Sequence, residues 1–121
     1  MYRDPWPIVP LNIDIKFWDE EIAVVTCNGD VDVPGSKKLR DAFLSLDKQG
    51  FHRILVDLSE VTYIDETGWG TILGACKRAR AADGSLDLVC SQEKILRFLR
   101  QSDLIKVFPV FGSQAAARRY L

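Results

Sequence analysis

Histidine is nearly missing from this chain: His52 stands alone, so any mechanism that needs a histidine pair is excluded. Cysteine is sparse and odd in number. Cys27, Cys76 and Cys90 are widely and irregularly spaced, with no close pair and no neighbouring histidine to complete a metal-ligand set. They read as small buried hydrophobes, and no metal or other cofactor is expected. No apolar run approaches the ~18 residues of a transmembrane helix. The opening Met1-Tyr2-Arg3-Asp4-Pro5-Trp6-Pro7 carries an early acid and no apolar signal core, as expected of a cytoplasmic chain with no membrane partner. Charge of one sign is lacking too: sixteen basic and seventeen acidic side chains give a net charge of −1. Whole-molecule attraction to nucleic acid is therefore not expected. No Gly-Lys-Ser/Thr follows a glycine-rich turn, which removes the ordinary phosphate-cradling nucleoside triphosphatase.

What is present suits one soluble domain. The 121 residues are 47% hydrophobic and 27% charged. Scaling of surface with mass gives roughly 6,600 Å² exposed when folded against about 20,000 Å² for the open chain. A core of that size needs no metal or disulfide to hold it.

Prolines 5, 7 and 10 keep residues 1–10 irregular, with Trp6 a candidate to lie across the body. Ile13, Ile15 and Phe17 then alternate with Asn12, Asp14 and Lys16, the period of a half-buried strand. A turn at Trp18-Asp19-Glu20-Glu21 leads to a strand over Ile22–Cys27, predicting an antiparallel hairpin closed by Asn28-Gly29-Asp30. Leu39, Ala42, Phe43 and Leu46 mark an amphipathic helix, capped by Ser36 and stopped by Gly50. Ile54-Leu55-Val56-Asp57-Leu58 is apolar enough for burial on both faces, and Val61–Ile64 continues it. His52 marks the start of that strand. Trp69, Ile72, Leu73, Cys76 and Ala79 share one face of a second helix that Asp83-Gly84 ends. A strand over 86–90, a helix over 92–100, a strand over 106–111 and a closing helix over 113–121 complete the chain. Two strands followed by alternating helix and strand indicate an α/β sheet, mixed at one edge and parallel afterwards.

The most unusual segment is Tyr63-Ile64-Asp65-Glu66-Thr67-Gly68-Trp69-Gly70, where a strand ends and a helix begins. Asp65 is placed to cap the helix. Glu66 falls in the first turn, where the helix dipole favours an anion by ~0.3–1 kcal/mol. Gly68, Gly70 and Gly74 each cost roughly 1 kcal/mol relative to alanine inside a helix. Tight helix-on-sheet packing would explain them, and so would close approach of a partner surface. Gly68-x-Gly70 with Gly74 is a faint dinucleotide pattern in a chain too short for a dinucleotide domain plus a substrate site. Asp57, Asp65 and Glu66 offer a second reading, an Mg²⁺-dependent phospho-acceptor cluster like that of a receiver domain. A receiver needs an acidic pair after its first strand, whereas Asp30 and Asp32 follow the second.

Taken in order, these pieces resemble the STAS domain of bacterial anti-sigma factor antagonists. Gly29-Asp30-Val31-Asp32 is similar to the family's Gly-Glu-Leu/Ile-Asp, and Val56-Asp57-Leu58-Ser59 to its buried Asp-Leu-Ser strand. Ile64-Asp65-Glu66-Thr67-Gly68-Trp69-Gly70 resembles its Asp-Ser-Ser/Thr-Gly-Leu-Gly loop, and Leu99–Val110 its tail. The run from Gly70 through Leu88 looks most like actinobacterial members. The resemblance implies one α/β STAS domain over residues 11–121: a mixed β-sheet with an N-terminal antiparallel hairpin and helices packed mainly on one face. It implies a binding switch rather than an enzyme. The partner would be an anti-sigma factor of protein-kinase fold that phosphorylates the first serine of the loop and so ends the contact; monomer or weak dimer are both open. The implied contact surface is Asp65, Glu66, Thr67, Gly68, Trp69 and Gly70, with Asp30 and Asp32 beside it. Lys77, Arg78 and Arg80 are placed either against an acidic partner patch or on a solvated helix face.

The decisive position departs from the pattern. The phospho-acceptor serine corresponds to Glu66, which has no hydroxyl. Glu66 would imitate the phosphorylated state, or meet a co-adapted cationic partner without kinase control, or leave Thr67 as the acceptor. Trp69 replaces an aliphatic residue and is either core packing or an interface anchor. Asp103 stands where glycine is common and would reshape that turn.

Overall fold

The computed structural model describes residues 7–121; the expectation for Trp6 lies outside them. Strands β1 (Asn12–Trp18) and β2 (Ile22–Val31) form the expected antiparallel hairpin, with Trp18 opposite Ile22. Helix α1 (Val33–Lys48) leads to β3 (Arg53–Ile64), which pairs parallel to β2. Helix α2 (Glu66–Ala81), strand β4 (Ser85–Val89), helix α3 (Glu93–Gln101), the short strand β5 (Val110–Phe111) and helix α4 (Gln114–Tyr120) follow. The sheet order is β1-β2-β3-β4-β5, with every pair after the first parallel.

This order fixes where the helices go. Crossovers between parallel strands are right-handed, so strands added steadily in one direction place every crossover helix on the same face. Leu39, Phe43 and Leu46 of α1, Ile72 and Cys76 of α2, and Ile95 and Leu99 of α3 accordingly share one core with Ile54, Val56 and Leu58 of β3. Among the described residues only α4 crosses to the other face, where Ala117 covers Ile22, Val24, Leu55 and Val89. Side chains alternate along a strand, so the apolar run 54–56 of β3 serves both cores, Ile54 and Val56 on one face and Leu55 on the other.

Three local expectations need correction. Asn28-Gly29-Asp30 does not close the hairpin but lies within β2, which runs on to Val31 beside β3. The first helix begins at Val33 with Asp32 as its cap, not at Ser36, which is buried within the helix. Pro34 reads as a breaker in sequence, but in a first turn it lacks only an N–H that has no helical acceptor there. The strand expected over 106–111 is only Val110–Phe111; a 3₁₀ turn over Leu104–Lys106 precedes it and folds the buried Phe108 onto the core. Asp103 opens that turn at φ +62°, the left-handed region where glycine is favoured.

Candidate functional site

Strands β2 and β3 run parallel and end level, Val31 opposite Ile64. The next residue of each strand, Asp32 and Asp65, caps the helix that follows, so the N-termini of α1 and α2 lie side by side. The Asp32 carboxylate accepts from the Gly35 amide at 2.9 Å, and the Asp65 carboxylate from the Gly68 amide at 2.8 Å. The Asp65 amide donates to the Val31 carbonyl at 3.1 Å, joining the two turns. Carboxyl ends of parallel strands are the usual location of binding sites in α/β sheets. The chain thus brings together the two segments singled out from sequence, residues 29–32 and 65–70.

Within that surface the residues divide by direction. Glu66 and Thr67 are exposed, and so is Gly70. Among the described residues nothing bonds to or pairs with the Glu66 carboxylate, which stands free at the positive end of α2. Gly68 points inward: a Cβ there would meet Ile64 Cγ2, Val31 Cγ1 and the Val31 carbonyl oxygen, each at 2.8 Å. Trp69 is 4% exposed and stacks on Phe98 with ring centroids 5.4 Å apart, so it packs the core.

Asp30 is also turned inward. One oxygen accepts from the Thr62 hydroxyl at 2.7 Å and the other from the Val9 amide at 3.0 Å, while the Asp30 amide donates to the Val9 carbonyl. It clasps the segment before β1 against β2, beside the caps. That clasp was not visible in sequence, where Asp30 looked like a turn residue.

Residues 16–117 match the family model of the STAS domain. The chain belongs to the STAS domain family. It is 32% identical over 87 residues to an anti-sigma-B factor antagonist of Bacillus subtilis, covering 72% of this chain and 78% of that one. A Thermotoga maritima protein superposes with TM-score 0.83 at 21% identity, over 89% of this chain and 92% of its own. The Bacillus cell-fate determinant SpoIIAA in its phosphorylated form superposes with TM-score 0.73 at 18% identity, over 91% of this chain and all of the other.

The STAS sheet separates the acids of the receiver-like alternative. Asp57 and Asp65 are eight residues apart along β3, on the order of 25 Å in an extended strand. Asp57 instead faces α4, accepting from Gln114 Nε2 at 2.7 Å and from the Ser59 amide at 2.9 Å. Among the described residues no three His, Cys, Asp or Glu side chains come together as a metal-ligand group. The three cysteines are free and buried. Burial pushes the Cys27 thiol up to about 12, with the nearby Asp57 carboxylate adding to the shift.

Of the basic residues of α2, Lys77 and Arg80 are exposed, and Arg80 donates to the Val107 carbonyl. Arg78 lies in a groove between α1 and α2 with Thr67, Gly70, Thr71, Gly74 and Arg40. Arg40 escaped the sequence reading because it belongs to the other helix, and only the packing of α1 on α2 brings it to this surface.

Proposed function

We propose that this STAS domain is an anti-sigma factor antagonist whose binding is not gated by phosphorylation. It would sequester an anti-sigma factor of kinase fold and so act on sigma-factor-dependent transcription in the cytoplasm, as a binding protein rather than an enzyme. The observation that carries the reading is Glu66: a carboxylate held exposed at the first position of α2, with no partner among the described residues, where the family pattern has its acceptor serine. A glutamate offers one charge and two acceptor oxygens, less than a phosphate, and suits a complementary Arg or Lys on the partner. Asp65 and Gly68 hold the turn in place, Asp32 and Asp30 support it from β2, and Glu66, Thr67 and Gly70 form the contact.

The test immobilises the chain, passes a lysate of its source cells over it, and identifies what is retained by mass spectrometry, with Glu66→Ser and Glu66→Ala alongside. The expected result is retention of a kinase-fold anti-sigma factor by the wild type both with and without ATP. Glu66→Ser should release it after ATP and Mg²⁺ are added, and Glu66→Ala should retain less. Retention by Glu66→Ser alone would mean that Glu66 fixes a phospho-like, low-affinity state. Release of the wild type by ATP, with phosphate on Thr67, would move the switch to that residue.

A further inference from the structure

Strand β1 pairs with β2 along one side, and among the described residues nothing pairs with its other side. The hairpin turn sets the direction of its backbone groups. The Glu21 amide donates to the Trp18 carbonyl at 3.2 Å, so Trp18 turns its polar groups toward β2. Direction alternates along an antiparallel strand. Lys16, Asp14 and Asn12 therefore face β2 as well, while Ile13, Ile15 and Phe17 present their N–H and C=O groups outward. An open edge of this kind is a template for another strand. Its side chains are divided by face. Ile13 and Ile15 lie half-buried at the rim of the larger core, opposite Cys27 and Val25. Phe17 beside them is 49% exposed and touches Phe51, with ring centroids 4.5 Å apart. Asp14 and Lys16 project from the other face, exposed, and among the described residues neither side chain has a hydrogen-bond or ion-pair partner.

We propose that this edge is a homodimer interface, in which two copies of the chain pair antiparallel about Ile15 and join two five-stranded sheets edge to edge. About that residue the strand is its own complement. Ile15 meets Ile15 of the second copy, Ile13 meets Phe17, and Asp14 meets Lys16, the last two contacts made twice by the twofold axis. Asn12 reaches Trp18, so the whole length of β1 is paired. The outward-facing groups fall at the hydrogen-bonded positions, giving about six bonds between the strands. The charged pairs fall at the positions between them, where side chains stand closest and Cβ atoms are about 4.5–5.5 Å apart. Charge also rejects the neighbouring registers. Centring the pair on Asp14 would set the two aspartates face to face, and centring it on Lys16 the two lysines, which is destabilising. A lone edge lysine discourages strand pairing; with an aspartate two residues away it selects one register instead. The pairing covers the apolar rim at the side of the sheet and leaves the aspartate-capped helix N-termini, at the strand ends, open.

The proposal is independent of the antagonist reading, and its test uses the full chain alone. Sedimentation velocity over a hundredfold range of concentration, up to about 1 mM, reads self-association by mass action. The wild type should pass from monomer to dimer. Asp14→Lys and Lys16→Asp each set like charges opposite one another and should weaken the dimer at least tenfold. An equimolar mixture of these two variants should dimerise as the wild type does, because every lysine then faces an aspartate again; that recovery also shows both variants to be folded. Amide hydrogen exchange locates the contact: residues 13, 15 and 17 should exchange more slowly as the concentration rises. A wild type that stays monomeric throughout would overturn the proposal. So would variants that associate as the wild type does, a mixture that fails to dimerise, or a dimer that forms without slowing those three amides.

Discussion

At the scale of single residues, the loop after β3 shows how one residue type serves opposite purposes. Gly68 is needed because three atoms of β2 and β3 occupy the space a Cβ would take, whereas Gly70 faces open space. Gly68→Ala should therefore destabilise the fold by about 1–3 kcal/mol, the usual cost of overpacking. Gly70→Ala should stabilise the isolated chain by about 0.5–1 kcal/mol through helix propensity and the unfolded state. Urea denaturation of the two variants gives the signs directly; a loss in both would mean that Gly70 also serves the fold. Cys27 makes a prediction in pH. Its folded thiol is raised to about 12, so between the ordinary thiol value and that point the unfolded chain loses a proton that the folded chain keeps. The unfolded state then binds fewer protons, and stability falls as pH rises, by up to ~1.4 kcal/mol per unit in that window. Below pH 9 the group contributes no slope. Cys27→Ala should lower stability by a constant amount at neutral pH yet flatten the decline above pH 9. Burial raises Cys76 and Cys90 as well, so part of the slope should remain.

At the scale of elements, α4 is the outlier. Among the described residues it alone of the helices packs on the second face, through Ala117 and the Gln114–Asp57 hydrogen bond. Asp57 is 7% exposed, so removing its donor leaves a buried carboxylate oxygen unsatisfied. Gln114→Leu should cost about 1–3 kcal/mol, and amide exchange should quicken first in residues 114–120. Slowed or unchanged exchange there would show that α4 is held without that bond, by Ala117, the Tyr120–Phe111 ring contact and Arg118 over Trp18. Elements were also where sequence was most legible. The period-2 pattern located β1, unbroken apolar runs located β2 and β3, and apolar residues at helical spacing located α1 and α2, each of which presents one face to a core. The misplaced starts have physical reasons: Pro34 is compatible with a helical first turn, and the apolar run before Pro109 is buried through a 3₁₀ turn that has no pattern of its own. Contacts between elements were not legible. The inward turn of Asp30 depends on Val9, and the basic groove depends on α1 lying against α2.

At the scale of the whole molecule, strand order and handedness decide what the surface offers. Because β2 and β3 are adjacent, parallel and level at their ends, two aspartate-capped helix N-termini meet at one end of the sheet, and the α1–α2 groove runs away from them. The motif residues were therefore recognisable as a loop in sequence, while their division into supporting and contacting members needed the fold. Net charge is close to zero, so partner choice lies in local charge, such as the exposed Glu66 carboxylate. The most direct test of the account is a calorimetric titration of the anti-sigma factor proposed as partner with the wild-type protein, before and after incubation of the mixture with ATP and Mg²⁺. The account predicts saturable binding with the same Kd in both and no change in the mass of the chain. Binding that disappears after ATP, together with a phosphate on the chain, would contradict it.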